Sequence, residues 1–210
     1  MLLIRHGSVD TLAVGNGVPC IYGPHEPLDT HGVHQSIRLA EQLSQQGIRP
    51  DLIVSSQYER AYQTANLIHE KFANHPPVIP DSFFNGAHTP QWDHRPETEL
   101  ARVDNNFFAG NPAIPDVHGE TLPHVYNRVI AEYKRLLESH KTGTIAIVTH
   151  EEIIGIILHH IKHGDRVAPG IEHSIEKGEA MVLTYDKNNT LLDQHIVTSE
   201  GGTRRPEQNK

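Results

Sequence analysis

The chain has 210 residues, a formal net charge of −8 at pH 7 and 37% hydrophobic residues. That length suits one compact domain with room for an insertion rather than two full domains. An acidic chain with no run of Lys or Arg argues against nucleic acid or an anionic membrane surface as the main partner, and the single cysteine, Cys20, excludes an internal disulfide and any multi-cysteine metal site.

The first element is the apolar run Met1-Leu2-Leu3-Ile4, with no basic segment and hydrophobic signal region before it. No apolar stretch approaches the length that crosses a bilayer, so a soluble, cytoplasmic protein without a membrane partner is expected. The run leads into Arg5-His6-Gly7, a cation and an imidazole where a short buried strand gives way to a turn. Enzymes built on parallel sheets keep their chemistry at such strand ends.

Val33, Ile37, Ala40 and Leu43 then recur at helical spacing. A second apolar run, Leu52-Ile53-Val54, leads into Ser55-Ser56 and Arg60, and the stripe Ala61, Ala65, Ile68, Phe72 marks the helix that follows. Residues 75–118 hold seven prolines and no period, which predicts an insertion or cap over the C-terminal edge of the sheet. Leu122, Val125, Val129 and Leu136 form the next stripe, and Ile145-Ala146-Ile147-Val148 leads into Thr149-His150. Ala180 to Tyr185, a turn over 186–189, and Leu191 to Val197 read as a hairpin. The polar tail, 199–210, is expected to be disordered.

Short strands alternating with amphipathic helices predict an α/β fold, a largely parallel sheet with helices on both faces and at least one antiparallel strand from the hairpin. Ser56 with Glu59, and Thr149 with Glu152, match the capping box, in which a hydroxyl and a carboxylate three residues on satisfy the first free N–H groups of a helix. Two helix N-termini would then face the space beside Arg5 and His6, which favours an anion.

Two arginines can grip a phosphoryl group through paired N–H bonds, and His150 can add a donor. A neutral His6, kept so by its cationic neighbours, can attack phosphorus through one ring nitrogen while a backbone carbonyl holds the other. His150 would then stabilise charge on the equatorial oxygens together with Arg5 and Arg60.

The motifs that carry this chemistry resemble the phosphoglycerate-mutase-like branch of the histidine phosphatase superfamily. Leu3-Ile4-Arg5-His6-Gly7 is similar to its nucleophile motif, and Gly23 through Pro27-Leu28-Asp29-Thr30-His31-Gly32, Gln35 and Leu39-Ala40 to the segment entering the first helix. Ser55-Ser56, Arg60-Ala61 and Thr64-Ala65 resemble the second arginine motif. Gly119-Glu120-Thr121, Val125, Arg128 and Val148-Thr149-His150 resemble the closing pair.

The resemblance implies a three-layer α/β/α sandwich around a mixed sheet, one domain over 1–198, with the cap inserted at about 75–118. It also implies His6 as the phosphorylated nucleophile, Arg5, Arg60 and His150 as the phosphate pocket, and no metal or organic cofactor. The expected activity is that of a histidine acid phosphatase-like phosphoric monoester hydrolase acting on a small phosphorylated metabolite, with homo-oligomer formation left open.

One departure from the family bears on mechanism. A Glu soon after the strand that follows the second helix commonly protonates the leaving oxygen there. Here Asn85 stands near that position, and an amide cannot donate a proton to an alkoxide. Other members use the acidic residue directly after the second histidine, which makes Glu151 the expected acid, with Asp81, Glu97 and Glu99 as further candidates. Glu151 competes with a simpler role in stabilising the helix dipole. Glu152 reads as the capping partner of Thr149, and Glu120 and Arg128 as structural.

His159 and His163 stand one helical turn apart, yet Ile154 occupies the place a zinc helix motif would need for its second histidine. His25, His31 and His34 read as solvated loop groups that could reach the pocket rim. Three other functions compete with the phosphatase. A phosphoglycerate-type mutase would need more phosphate ligands than Arg95 and Arg102. A phosphohistidine phosphatase would need less help from an acid but an open pocket. A non-catalytic phosphate-ligand-binding pseudoenzyme would keep the pocket without turnover.

Overall fold

A computed structural model describes residues 1–87, 90–96, 98–99, 120–166 and 175–206. The first buried run forms β1 (Leu2–Arg5), and after a short helix α1 (Thr11–Val14) the first long stripe forms α2 (Thr30–Gln45). Strand β2 (Leu52–Ser55) is followed by α3 (Glu59–Lys71) and a three-residue strand β3 (Val78–Pro80). The chain continues with α4 (Leu122–Ser139), β4 (Ile145–Thr149), α5 (Glu151–His163) and the hairpin β5 (Ala180–Tyr185) and β6 (Leu191–Val197). A two-residue strand β7 (Thr203–Arg204) closes the order.

The seven strands form one sheet in the order β3-β2-β4-β1-β5-β6-β7. Strands β3, β2, β4 and β1 are mutually parallel, and β5 runs antiparallel to β1, with β6 and β7 each antiparallel to its predecessor. Because successive strand residues face opposite sides, Leu2 and Ile4 pack into the layer of α2 and α3, while Leu3 packs into the layer of α4 and α5. Helices thus cover both faces, and the expected sandwich with a mostly parallel mixed sheet is what the chain forms.

The stripes Ala61-Ala65-Ile68-Phe72 and Leu122-Val125-Val129-Leu136 are buried throughout. In α2 the buried face is turned relative to the expected one: Gly32, Ser36, Leu39, Ala40 and Leu43 are buried, whereas Val33 and Ile37 are partly exposed. The reason is a close approach of backbones. A Cβ at Gly32 would lie 2.2 Å from the Ser8 carbonyl oxygen, and one at Gly7 2.5 Å from the Gly32 oxygen. Only residues as small as glycine let α2 press this hard on the turn after β1. Ser36 completes the contact, donating to the Gly32 carbonyl at 2.8 Å.

Several expectations are corrected. The segment beginning at residue 75 opens with sheet, since β3 pairs with β2, and Phe84 in the following 3-10 turn (Ser82–Phe84) is fully buried. Residues 88–89, 97 and 100–119 of that segment lie outside the described residues. The tail is not uniformly disordered. Residues 203–204 pair with β6, and Arg204 reaches Glu179 at 2.7 Å. Neither expected capping box forms. The N-caps are Tyr58 and His150, and the Ser56 and Thr149 hydroxyls bond elsewhere, Thr149 as the last residue of β4 and Ser56 as the residue directly after β2.

The backbone contact at Gly32 gives a stability test. Gly32→Ala is expected to lower the urea unfolding free energy by about 1–3 kcal/mol through overpacking, and an unchanged midpoint would show that α2 does not sit where the structure puts it.

Candidate active site

Sheet register brings the predicted residues together. Arg5 lies opposite Thr149 in the β1–β4 pairing, the His6 N–H donates to the Thr149 carbonyl at 3.0 Å, and the Ser56 N–H donates to the Val148 carbonyl at 2.9 Å. Three strands therefore end side by side, and the residues just beyond them share one space. His6 and His150 are 3% and 2% exposed, with ring centroids 5.2 Å apart.

The hydrogen bonds define the histidine tautomers. His6 Nδ1 donates to the Gly7 carbonyl at 2.7 Å, and Nε2 accepts from Arg60 Nε at 3.3 Å. The free lone pair of the His6 ring is thus on Nε2, held toward the guanidinium. Beside His150, Asn85 Oδ1 accepts from the Gln57 N–H at 2.7 Å. That oxygen also takes the Ser56 hydroxyl proton at 3.1 Å, so the 2.8 Å bond between Ser56 Oγ and His150 Nε2 has the imidazole as donor. His150 Nδ1 then accepts from Arg60 Nη2 at 3.3 Å.

Burial, reinforced by the charge of Arg60, holds both histidines well below the usual imidazole pKa; for His6 the Gly7 carbonyl opposes this, and Lys177 and Arg5 add to it. Both rings therefore favour the neutral form.

Arg60 sits at the centre, 5% exposed, with Nη1 donating to the Gly23 carbonyl at 2.6 Å. Its guanidinium carbon lies 4.6 Å from the Tyr22 ring centroid and 5.2 Å from that of Tyr58. Burial lowers its pKa from the ordinary arginine value. Arg5 is oriented differently, with Nη1 donating to the Ile175 carbonyl at 3.0 Å and Nη2 paired with Glu151 at 2.7 Å, while its buried Nε has no hydrogen-bond partner among the described residues. Glu151, expected as the acid, is engaged by Arg5.

The other expected acids are placed elsewhere. Asp81 caps the turn at Ser82–Phe84, its Oδ1 accepting from the Phe83 N–H at 2.9 Å, and interacts with Glu132. Glu99 pairs with Arg95, which lies over the Trp92 ring, while Glu97 and Arg102 are outside the described residues. Arg128 is structural, as expected. It pairs with Glu120 at 2.6 Å and donates to the carbonyls of Phe83 and Asn85 at 2.6 and 2.9 Å, clamping the turn that carries Asn85. His25, His31 and His34 are exposed, the His159 and His163 rings are 4.6 Å apart, and no cluster of three metal-ligating side chains occurs among the described residues.

Sequence reasoning missed Tyr22, Tyr58 and Lys177. Tyr22 arrives through the pairing of residues 20–21 with 94–96, in which the Ile21 N–H donates to the Arg95 carbonyl at 2.9 Å. Lys177 lies 5.4 Å from the Tyr22 centroid. Gln35 fixes its backbone: Nε2 donates to the Lys177 carbonyl at 3.0 Å while Oε1 accepts from the Ser8 N–H at 2.8 Å. Only the Gln35 motif residue carried any sequence signal for this clamp.

A short strand ending in Arg-His-Gly, a buried arginine between two histidines and a mixed sheet between helical layers define an α/β fold with its candidate site at the strand ends. The model of the histidine phosphatase superfamily (branch 1) matches residues 1–198, and the chain belongs to that family. It is 28% identical over 161 residues to the adenosylcobalamin/alpha-ribazole phosphatase of Escherichia coli (strain K12), covering 74% of this chain and 75% of the relative. Among solved structures, YhfR of Bacillus stearothermophilus superposes with a TM-score of 0.75 at 20% identity, over 91% of this chain and 93% of that one. A mycobacterial glucosyl-3-phosphoglycerate phosphatase with inorganic phosphate gives a TM-score of 0.73 at 20% identity, covering 96% and 99% of the two chains. The family and the Escherichia coli relative support a phosphatase.

The neutral histidines carry a pH signature. Their folded-state pKa values lie below the unfolded value of about 6.5, so the unfolded chain takes up protons first as pH falls, and stability present above that value is lost below it. The loss should approach about 1.4 kcal/mol per histidine for each pH unit below about 6.5. Urea unfolding of wild type and His6→Gln at pH 7.5 and 5.5 checks this, the variant showing the smaller drop; equal drops would mean that His6 is not held neutral.

Proposed function

We propose that the protein is a phosphatase that works without a metal ion, hydrolysing a small phosphate monoester through a phosphohistidine intermediate on His6. The observation that carries the reading is the His6 ring itself, buried and neutral, with Nδ1–H fixed by its own turn and the Nε2 lone pair held beside Arg60. That nitrogen forms a bond to phosphorus as the ester oxygen leaves, and water then attacks the phosphohistidine to release phosphate. Arg60, and Arg5 through its Nε, would bind the phosphoryl oxygens, donors fixed before the reaction and therefore costing little reorganisation, while His150, whose one N–H goes to Ser56, holds the Arg60 guanidinium through Nδ1.

A small substrate is supported by the aromatic rings and the docked segment that border the site. Tyr22 and Tyr58 flank Arg60, and segment 20–26 docks on residues 92–96 beside the site. The Escherichia coli relative is itself named for phosphatase activity on a small molecule. Lys177 adds positive potential near His6, which favours a dianionic phosphoryl group over a monoanionic one.

Phosphate release in the presence of a chelator should vanish in His6→Ala. Arg60→Ala is expected to reduce kcat/KM by about 10²–10³-fold, as removing one strong donor to a developing charge does. Trapping with an alkaline denaturing quench, which preserves the acid-labile phosphorus–nitrogen bond, should show phosphate attached to wild-type protein and none on His6→Ala; turnover retained by His6→Ala would sink the mechanism.

A further inference from the structure

Given the phosphatase reading, on which this inference rests, the active site still needs a group to protonate the departing oxygen. Asn85 occupies the family's position for that acid, and its Oδ1 is already taken by Ser56 and the Gln57 N–H. Glu151 is tied to Arg5 at 2.7 Å. The next residue, Glu152, lies on a different side of the first turn of α5, and its surroundings suit the task.

Glu152 Oε1 accepts from the Ala87 N–H at 3.3 Å, and Oε2 has no hydrogen bond among the described residues. A Cβ at Gly86 would lie 2.8 Å from Glu152 Oε1, 3.3 Å from Tyr58 Cε2 and 3.4 Å from His150 Cδ2. The carboxyl therefore fills the space that the missing side chain of Gly86 leaves beside His150. It also acts electrostatically on Arg60 and on the Tyr58 hydroxyl, which donates to the Gly86 carbonyl at 3.2 Å. One carboxylate thus borders the second histidine, the central arginine and the turn where the family keeps its acid.

We propose that Glu152 is the proton donor to the leaving group, standing in from α5 for the acid that Asn85 replaces. As His6 Nε2 bonds to phosphorus, the phosphorus–oxygen bond of the ester breaks and the Glu152 carboxyl proton passes to the departing oxygen, giving the free alcohol. The carboxylate then takes a proton from the water whose oxygen attacks the phosphohistidine. The phosphorus–nitrogen bond breaks, inorganic phosphate leaves, and His6 and the Glu152 carboxyl return to their starting forms.

The test compares two esters. Glycerol phosphate leaves as a strongly basic alkoxide that needs a proton, whereas p-nitrophenyl phosphate leaves as a stable anion that does not. Glu152→Gln keeps an oxygen for the Ala87 N–H and loses the proton. It should lower kcat on glycerol phosphate by about 10²–10⁴-fold while p-nitrophenyl phosphate turnover stays within about tenfold of wild type. Glu152→Asp, which keeps the proton on a shorter arm, should recover part of the loss. A uniform loss on both esters, no loss on either, or the ester-selective loss appearing in Glu151→Gln instead would overturn the assignment. If the wild type releases phosphate from neither ester, the phosphatase reading falls and this inference with it. That result is distinct from the uniform loss, which leaves a working phosphatase and removes Glu152 alone.

Discussion

Arg60 has no carboxylate bonded to it among the described residues, yet it is almost wholly buried. Taking a guanidinium out of water in this way is costly unless its N–H groups and its charge are answered. Here the Gly23 carbonyl, the two imidazole nitrogens and the Tyr22 and Tyr58 ring faces share that task. None of these partners carries a full negative charge. The result is a fixed, partly desolvated cation whose best partner is an anion from outside, and the rest of the site is arranged around it. The neutral state of both histidines follows from the same burial and the same charge.

The sheet makes this arrangement cheap to hold. Parallel pairing of β1 with β4 and of β4 with β2 puts three strand ends level, so backbone bonds from His6 to Thr149 and from Ser56 to Val148 set the distance between side chains from far-apart parts of the chain. The glycine contact between the β1 turn and α2 lets Gln35 reach over that turn and hold Lys177, and Arg128 holds the turn bearing Asn85 from the other side of the sheet. Positioning thus rests on backbone groups and short clamps, which lose little entropy when a ligand arrives.

The side chains at strand ends serve the site instead of the helices. Ser56 and Thr149 have the composition of helix caps, but Ser56 orients His150 and Thr149 donates to the Phe84 carbonyl at 2.6 Å. A hydroxyl can satisfy only a few partners. Those chosen are the ones that lock the imidazole and the 3-10 turn, leaving α3 and α5 to begin without a side-chain cap. The open first turn of α5 then carries its two adjacent carboxyl groups, one on Arg5 and one beside Gly86.

Much of this was legible in the sequence because it depends on local pattern. Short apolar runs that end in Arg-His, Ser-Ser and Thr-His, separated by helical stripes, determine an α/β sheet with its reactive groups at strand ends, and the hairpin determines its antiparallel side. Only the tertiary structure decided what depends on distance or on rotation. Strands β3 and β7 have three and two residues, too few for a periodic signal, and form because a neighbour offers an edge. Tyr22 and Lys177 reach Arg60 and His6 through loops whose course no local pattern encodes. Adjacent residues on a helix point about 100° apart, so the sequence, which favoured Glu151 as the acid and Glu152 as a cap, could not show how packing sets the phase of α5, turning Glu151 to Arg5 and Glu152 to the space beside His150.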